Sequence, residues 1–129
     1  MKVFTVSLSH HKAATGKGIP LLDITVKSGL KELAPDWDFL MEYKKSKMDE
    51  AAQAEYTRKY FAKLNRIWKA NPDLFLNLFR DYVEVAFACY CGPNACFCHR
   101  FLLVDALEKM AKKLNLPFER GGELTLTKK

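Results

Sequence analysis

At 129 residues and 14.8 kDa, with 49% hydrophobic and 28% charged side chains, the chain is long enough to bury one apolar core and too apolar for a disordered tail. No stretch approaches membrane-spanning length, and the N-terminus MKVFTVSLSHHKAATG is too short and too polar for a signal peptide, so the cytoplasm is the expected compartment. A net charge of +6, from 21 Lys+Arg against 15 Asp+Glu, leans the protein toward anionic partners, nucleic acid among them, though much of that excess belongs on solvated helix faces.

The pattern from Val3 to Ser7 alternates around Phe4 and Val6 and stops at Ser9-His10-His11, which predicts a first strand with a polar carboxyl end. Residues 12–20 carry Gly16, Gly18 and Pro20 and read as a loop. A second apolar run, Ile19 to Val26, contains Asp23, a carboxylate that needs a partner if the run is a buried strand. Pro35 suits a helix start, with Asp36 and Asp38 near the positive end of its dipole, and Trp37, Leu40 and Met41 at helical spacing. From Asp49 to Lys69 the helical signal is strong. Tyr56, Tyr60, Phe61, Leu64, Ile67 and Trp68 share one stripe, while Glu55, Lys59, Lys63 and Arg66 fall opposite. Asn71-Pro72 opens a short helix to about Arg80.

The stretch VEVAFACYCGPNACFCHRFLLVDALEKMAKKL, 83–114, holds the chemistry. An apolar strand runs into a loop with all four cysteines, and Cys98-His99-Arg100 begins an amphipathic helix marked by Leu103, Leu107, Met110 and Leu114. Gly121-Gly122 reads as a turn and Glu123 to Thr127 as a short last strand at a sheet edge. Residues 1–129 are therefore expected to form a single α/β domain, a small, mostly parallel sheet flanked by helices in the Rossmann-like manner. The strands near Phe4, Ile24 and Phe87 should be parallel neighbours, covered by the helices around Tyr60 and Leu107.

A strand, a loop and a helix start together make a usual ligand site, because unpaired N–H groups attract anions outside the carboxyl end of a strand. The expected ligand-binding set is Arg100, Asp23, Ser9, His10, Cys89 and Cys91. Arg100 sits where the helix dipole disfavours a cation, so a negative group should compensate it: a bound phosphate or carboxylate, or a structural partner such as Asp23. Tyr56 and Tyr60, one turn apart, offer a stacking surface for a nucleotide beside Arg58, Lys59 and Lys63, or else belong to the core. Trp37 and Trp68 are assigned to packing.

Four cysteines within ten residues are too crowded for a useful disulfide framework, which leaves catalytic, metal-binding or packed roles in a reduced compartment. Cys98 and His99 are the catalytic candidates, since a helix start and Arg100 both favour a thiolate. The order cysteine, loop, arginine, helix invites comparison with Cys-x5-Arg phosphatases, but no cysteine here has that spacing to Arg100. No cofactor is predicted. Zinc could be held by Cys89, Cys91, Cys96 and Cys98, yet the spacing is Cys-x-Cys, an awkward geometry around a short loop, and tight zinc is not expected.

DITVKSG at 23–29, Ala-Pro-x-Trp at 34–37, EYTRKY at 55–60 and CYC…CHR at 89–100 together resemble the domain of unknown function 488 family of bacterial and phage proteins. The resemblance spans about residues 20–115. It implies a role for Asp23 near an early strand end and for Cys98, His99 and Arg100 at a helix start. It implies no reaction, because the family's activity is unsettled by its name. Two functions follow as expectations: a domain that binds or processes a nucleotide or nucleic acid at 89–100, or a phage-type interaction protein acting on a host component, its cysteine loop structural or zinc-binding. The sequence does not decide whether the protein is an enzyme, nor its oligomeric state.

Overall fold

The computed structural model describes residues 1–92 and 97–126, and Cys96 therefore lies outside the described residues. Four strands and five helices run in the order β1 (Lys2–Ser7), α1 (Lys12–Thr15), β2 (Leu21–Asp23), α2 (Trp37–Lys45), α3 (Glu50–Ala70), α4 (Pro72–Asp81), β3 (Glu84–Cys89), α5 (His99–Leu114) and β4 (Glu119–Leu124). The sheet is all parallel in the order β2-β3-β1-β4, so the expected α/β class stands and the architecture is consistent with a Rossmann-like one. No helix among the described residues is long and apolar enough to cross a membrane.

Local chemistry accounts for the element ends. Asp49 caps α3 by accepting from the Ala52 N–H at 3.0 Å. Pro72 fills the first turn of α4, where its missing N–H costs nothing. Asn115, with φ 55°, closes α5 in the left-handed conformation that asparagine tolerates. β2 is shorter than the apolar run suggested: Asp23 turns its carboxylate onto the N–H and hydroxyl of Thr25, at 2.8 and 2.7 Å, which ends the strand. Residues 12–20 also differ from a plain loop, because Lys12–Thr15 forms one helical turn that buries Ala13 and Ala14.

Side-chain alternation divides the sheet into two faces. Val3, Val85, Phe87 and Cys89 face α3, α4 and α5, meeting Tyr60, Leu64, Phe75, Leu103 and Leu107 in the main core. Phe4, Val6, Ala86 and Ala88 face the other way, onto Ala13, Ala14 and Ile19. The uneven covering follows from the right-handed rule for parallel crossovers. The β1-to-β2 connection travels toward one edge of the sheet. The β2-to-β3 and β3-to-β4 connections travel back, so they share the opposite face.

The last strand is a correction. Gly121 and Gly122 lie inside β4 and not in a turn before it, because Val3 pairs with Arg120 and Phe4 with Gly122, which leaves Gly121 as a bulge. The Phe4 ring occupies the space that a Cβ on Gly121 would need, and Gly122 has φ +89°. Gly121→Ala should therefore destabilise the domain by about 1–3 kcal/mol through overpacking. Thermal melting checks this, with Gly92→Ala, whose Cβ would meet no neighbour, as the comparison.

Candidate functional site at the carboxyl edge of the sheet

β1 and β3 end side by side, with Ser7 and Cys89 as register partners. The chain leaves these two strand ends over opposite faces, through α1 and α5, and a crevice of that kind is where open α/β sheets take ligands. Ser9 and His10 lie at this edge, as expected. Ser9 is exposed, its Oγ 2.9 Å from that of Ser7, while the His10 Nδ1 accepts from the Leu126 N–H at 3.2 Å.

Arg100 is fully buried, at 0% exposure, on the first turn of α5. Its Nε and Nη2 donate to the two oxygens of Glu123 at 3.1 and 2.9 Å, a planar two-point pair. Nη1 donates to Cys89 Sγ at 3.0 Å and to the Cys91 carbonyl at 3.3 Å, and Nη2 reaches the Gly92 carbonyl at 3.0 Å. The Thr5 hydroxyl donates to Glu123 at 2.6 Å from the other side. The negative group demanded by the helix dipole is thus Glu123. Asp23, on the opposite edge strand, does not meet Arg100, and its carboxylate bonds to Thr25 and Ser28. Burial works against the Arg100 charge, but Glu123 and the cysteine sulfurs outweigh it and hold the guanidinium protonated.

Two sulfurs meet behind this clamp. Cys89 and Cys98, both buried, have Sγ atoms 2.8 Å apart, and Cys91, two residues beyond Cys89, is exposed. The neighbouring Cys89 and Cys98 thiols, helped by Arg100 and Lys44, draw the Cys91 thiol down to about 3. The Cys98 thiol is pushed up by the neighbouring cysteines and by burial. His99 is buried, and its Nε2 donates to the Ile24 carbonyl at 2.7 Å, which leaves Nδ1 as the acceptor, 3.7 Å from Cys98 Sγ. Burial also lowers the His99 pKa and favours the neutral ring. The donor atoms of Cys89, Cys98 and His99 lie within 4.8 Å of one another, a cluster that could hold a metal ion.

The two tyrosines are core residues. Tyr60 is wholly buried, and its hydroxyl donates to the Leu33 carbonyl at 2.6 Å. Tyr56 packs edge-on against Phe39 and Phe97, and burial pushes its phenol pKa up. The flanking cations are also engaged: Arg58 pairs with Glu55, Lys59 with Glu42, and Lys63 with Asp36. Tyr56 and Tyr60 therefore offer a nucleotide no exposed ring. Trp68 packs on Phe75 as expected, whereas Trp37 is 53% exposed at the start of α2. Residues that sequence reasoning missed are Glu123, whose only signal was an acid in an apolar alternation, and Tyr90, 63% exposed where β3 ends.

The family model of the active DUF488-N3 subclade, DUF488-N3a, matches residues 11–111. The chain belongs to the DUF488 family. The match takes in α1 to most of α5, with the cysteine loop, His99 and Arg100, while β1, β4 and hence Glu123 fall outside it. No curated protein and no solved structure matches the chain.

Two outcomes check the geometry. Glu123→Ala strands a buried guanidinium, so stability should fall by about 3 kcal/mol, and denaturant unfolding of this variant, of Arg100→Ala and of the double variant should show strong coupling. Burial raises the Asp23 carboxyl, but bonds from Ser28 and Thr25, with the nearby His99, outweigh it and hold the pKa below the usual 3.8. A carboxyl depressed on folding stabilises above its unfolded pKa and loses that contribution as pH falls through its folded one. Asp23→Asn should accordingly flatten part of the stability loss below about pH 4, measured by melting across acid pH.

Proposed function

We propose that this DUF488 protein binds an anionic ligand of nucleotide or nucleic-acid type at residues 89–100, with Arg100 behind the loop and not in contact with the ligand. The observation that carries the reading is the position of the site. The carboxyl ends of β1 and β3 meet where the connections part to opposite faces, and α5 starts there, its N-cap residue Cys98 making no side-chain cap.

Arg100 supports the reading indirectly. It draws the Cys91 and Gly92 carbonyls inward, and in a trans peptide the N–H points opposite to the C=O, so the Gly92 N–H is turned away from the guanidinium. Tyr90, exposed beside this loop, offers the aromatic face that Tyr56 and Tyr60 do not. The net charge of +6 favours approach of an anion. The subclade's description as active fits a domain that acts on what it binds. A second reading, an interaction protein of phage type working on a host component with a structural or zinc-binding cysteine loop, is favoured by the wholly internal bonding of Arg100.

Thermal melting with ATP, a mixed mononucleotide set, inorganic phosphate and a single-stranded oligonucleotide separates the two. A nucleotide at about 100 times its Kd should add about 2.7 kcal/mol of stability. Tyr90→Ala should melt like wild type without ligand and lose most of that gain, since one stacked base is worth about 1–3 kcal/mol. If none of these probes shifts the transition, the ligand reading is wrong and the interaction reading replaces it.

A further inference from the structure

We propose that Cys89, Cys98 and His99, completed by Cys91, form a binding site for a borderline-soft divalent ion of the zinc class. The Cys-x-Cys spacing alone argued against tight zinc, because two such pairs around a short loop impose an awkward geometry. The fold supplies what the spacing lacked. α5 begins directly over the end of β3, so that Cys98 and His99 descend onto Cys89 from a second element.

The geometry is close to a metal's requirement. All three donor atoms are buried and lie within 4.8 Å of one another, with 2.8 Å between the sulfurs and 3.7 Å from Cys98 Sγ to His99 Nδ1. Ligands about 2.0–2.3 Å from a tetrahedral zinc stand about 3.5–3.8 Å apart. The Cys98 Sγ–His99 Nδ1 distance already falls in that range, and the two sulfurs need to part by about 1 Å. Cys91 is exposed beside this cluster, its carbonyl accepting from the same Arg100 Nη1 that donates to Cys89 Sγ, so its thiol is the one at hand on the entry side for the fourth corner.

The surroundings favour the same chemistry. The His99 Nε2–H is anchored on the Ile24 carbonyl, which fixes the ring with Nδ1 toward the sulfurs; ligating histidines are commonly held in this way. Arg100 donates to Cys89 Sγ at 3.0 Å. Three thiolates and a neutral imidazole around a divalent ion carry net negative charge, and the guanidinium, itself paired with Glu123, still gives the Cys89 sulfur a hydrogen bond.

The inference is independent of the nucleotide reading. Its test uses reduced, metal-stripped full-length protein titrated with Zn(II) and with Co(II). The expected result is about one ion per chain and the intense visible absorption of tetrahedral cobalt bound by thiolates. Cys91→Ser alters an exposed side chain, so it should fold like wild type, weaken binding about tenfold or more and lower the thiolate-to-cobalt absorption. His99→Gln keeps a donor for the Ile24 carbonyl but removes the ring nitrogen, and it should lose the tetrahedral spectrum. Folded, reduced wild type that takes up neither ion overturns the proposal. Unchanged affinity and spectrum in both variants overturn it too, since the ion then sits elsewhere. A chain that takes zinc but is unmoved by nucleotides counts against the proposed function alone, and the reverse result counts against this inference alone.

Discussion

A buried charge organises this molecule. Arg100 lies at the start of α5, where the dipole repels it, and deep enough that water cannot solvate it. Such a group is tolerated only if every N–H finds a partner, and the partners come from three parts of the chain: Glu123 on β4, the sulfur of Cys89 at the end of β3, and the carbonyls of Cys91 and Gly92. Thr5 on β1 extends the set through Glu123. One side chain thus fastens α5 to three adjacent strands and fixes the path of the loop that leaves the sheet.

The same arrangement concentrates sulfur chemistry. Cys89 is placed by strand parity on the face toward α5, and Cys98 by its position before that helix. The guanidinium then donates to the Cys89 sulfur, while the Ile24 carbonyl sets the tautomer of His99. Cys98 and His99 are both buried, so a direct attack on a substrate from Cys98 is opposed by access. Among the described residues, the site offers outward Cys91, Gly92 and Tyr90.

Most helices were legible because their causes are local. The stripe from Tyr56 to Trp68, the proline at 72 and the asparagine at 115 act within a turn or two of themselves. The site was legible in part for the same reason, since a strand, a loop and a helix start are contiguous in sequence. Glu123 was not, because it lies 23 residues from Arg100 and meets it only after β4 has crossed to the far side of β1. Asp23 misled in an instructive way: a carboxylate in an apolar run suggests a distant cation, whereas it ends the strand with its own neighbours, Thr25 and Ser28. The paired glycines misled similarly, as the bulge they form depends on the Phe4 ring from another strand.

The bulge in β4 bears on how the protein behaves in a crowded solution. An outer strand with a free row of N–H and C=O groups is a template for a neighbouring molecule to add to. β4 is interrupted at Gly121, twisted by the positive φ of Gly122, and carries Glu119 and Arg120 at its start. The opposite margin, β2, is only three residues long and ends in the Asp23 turn. Neither side of this small parallel sheet presents a regular ladder, so sheet-to-sheet growth into fibres finds no straight margin on which to begin.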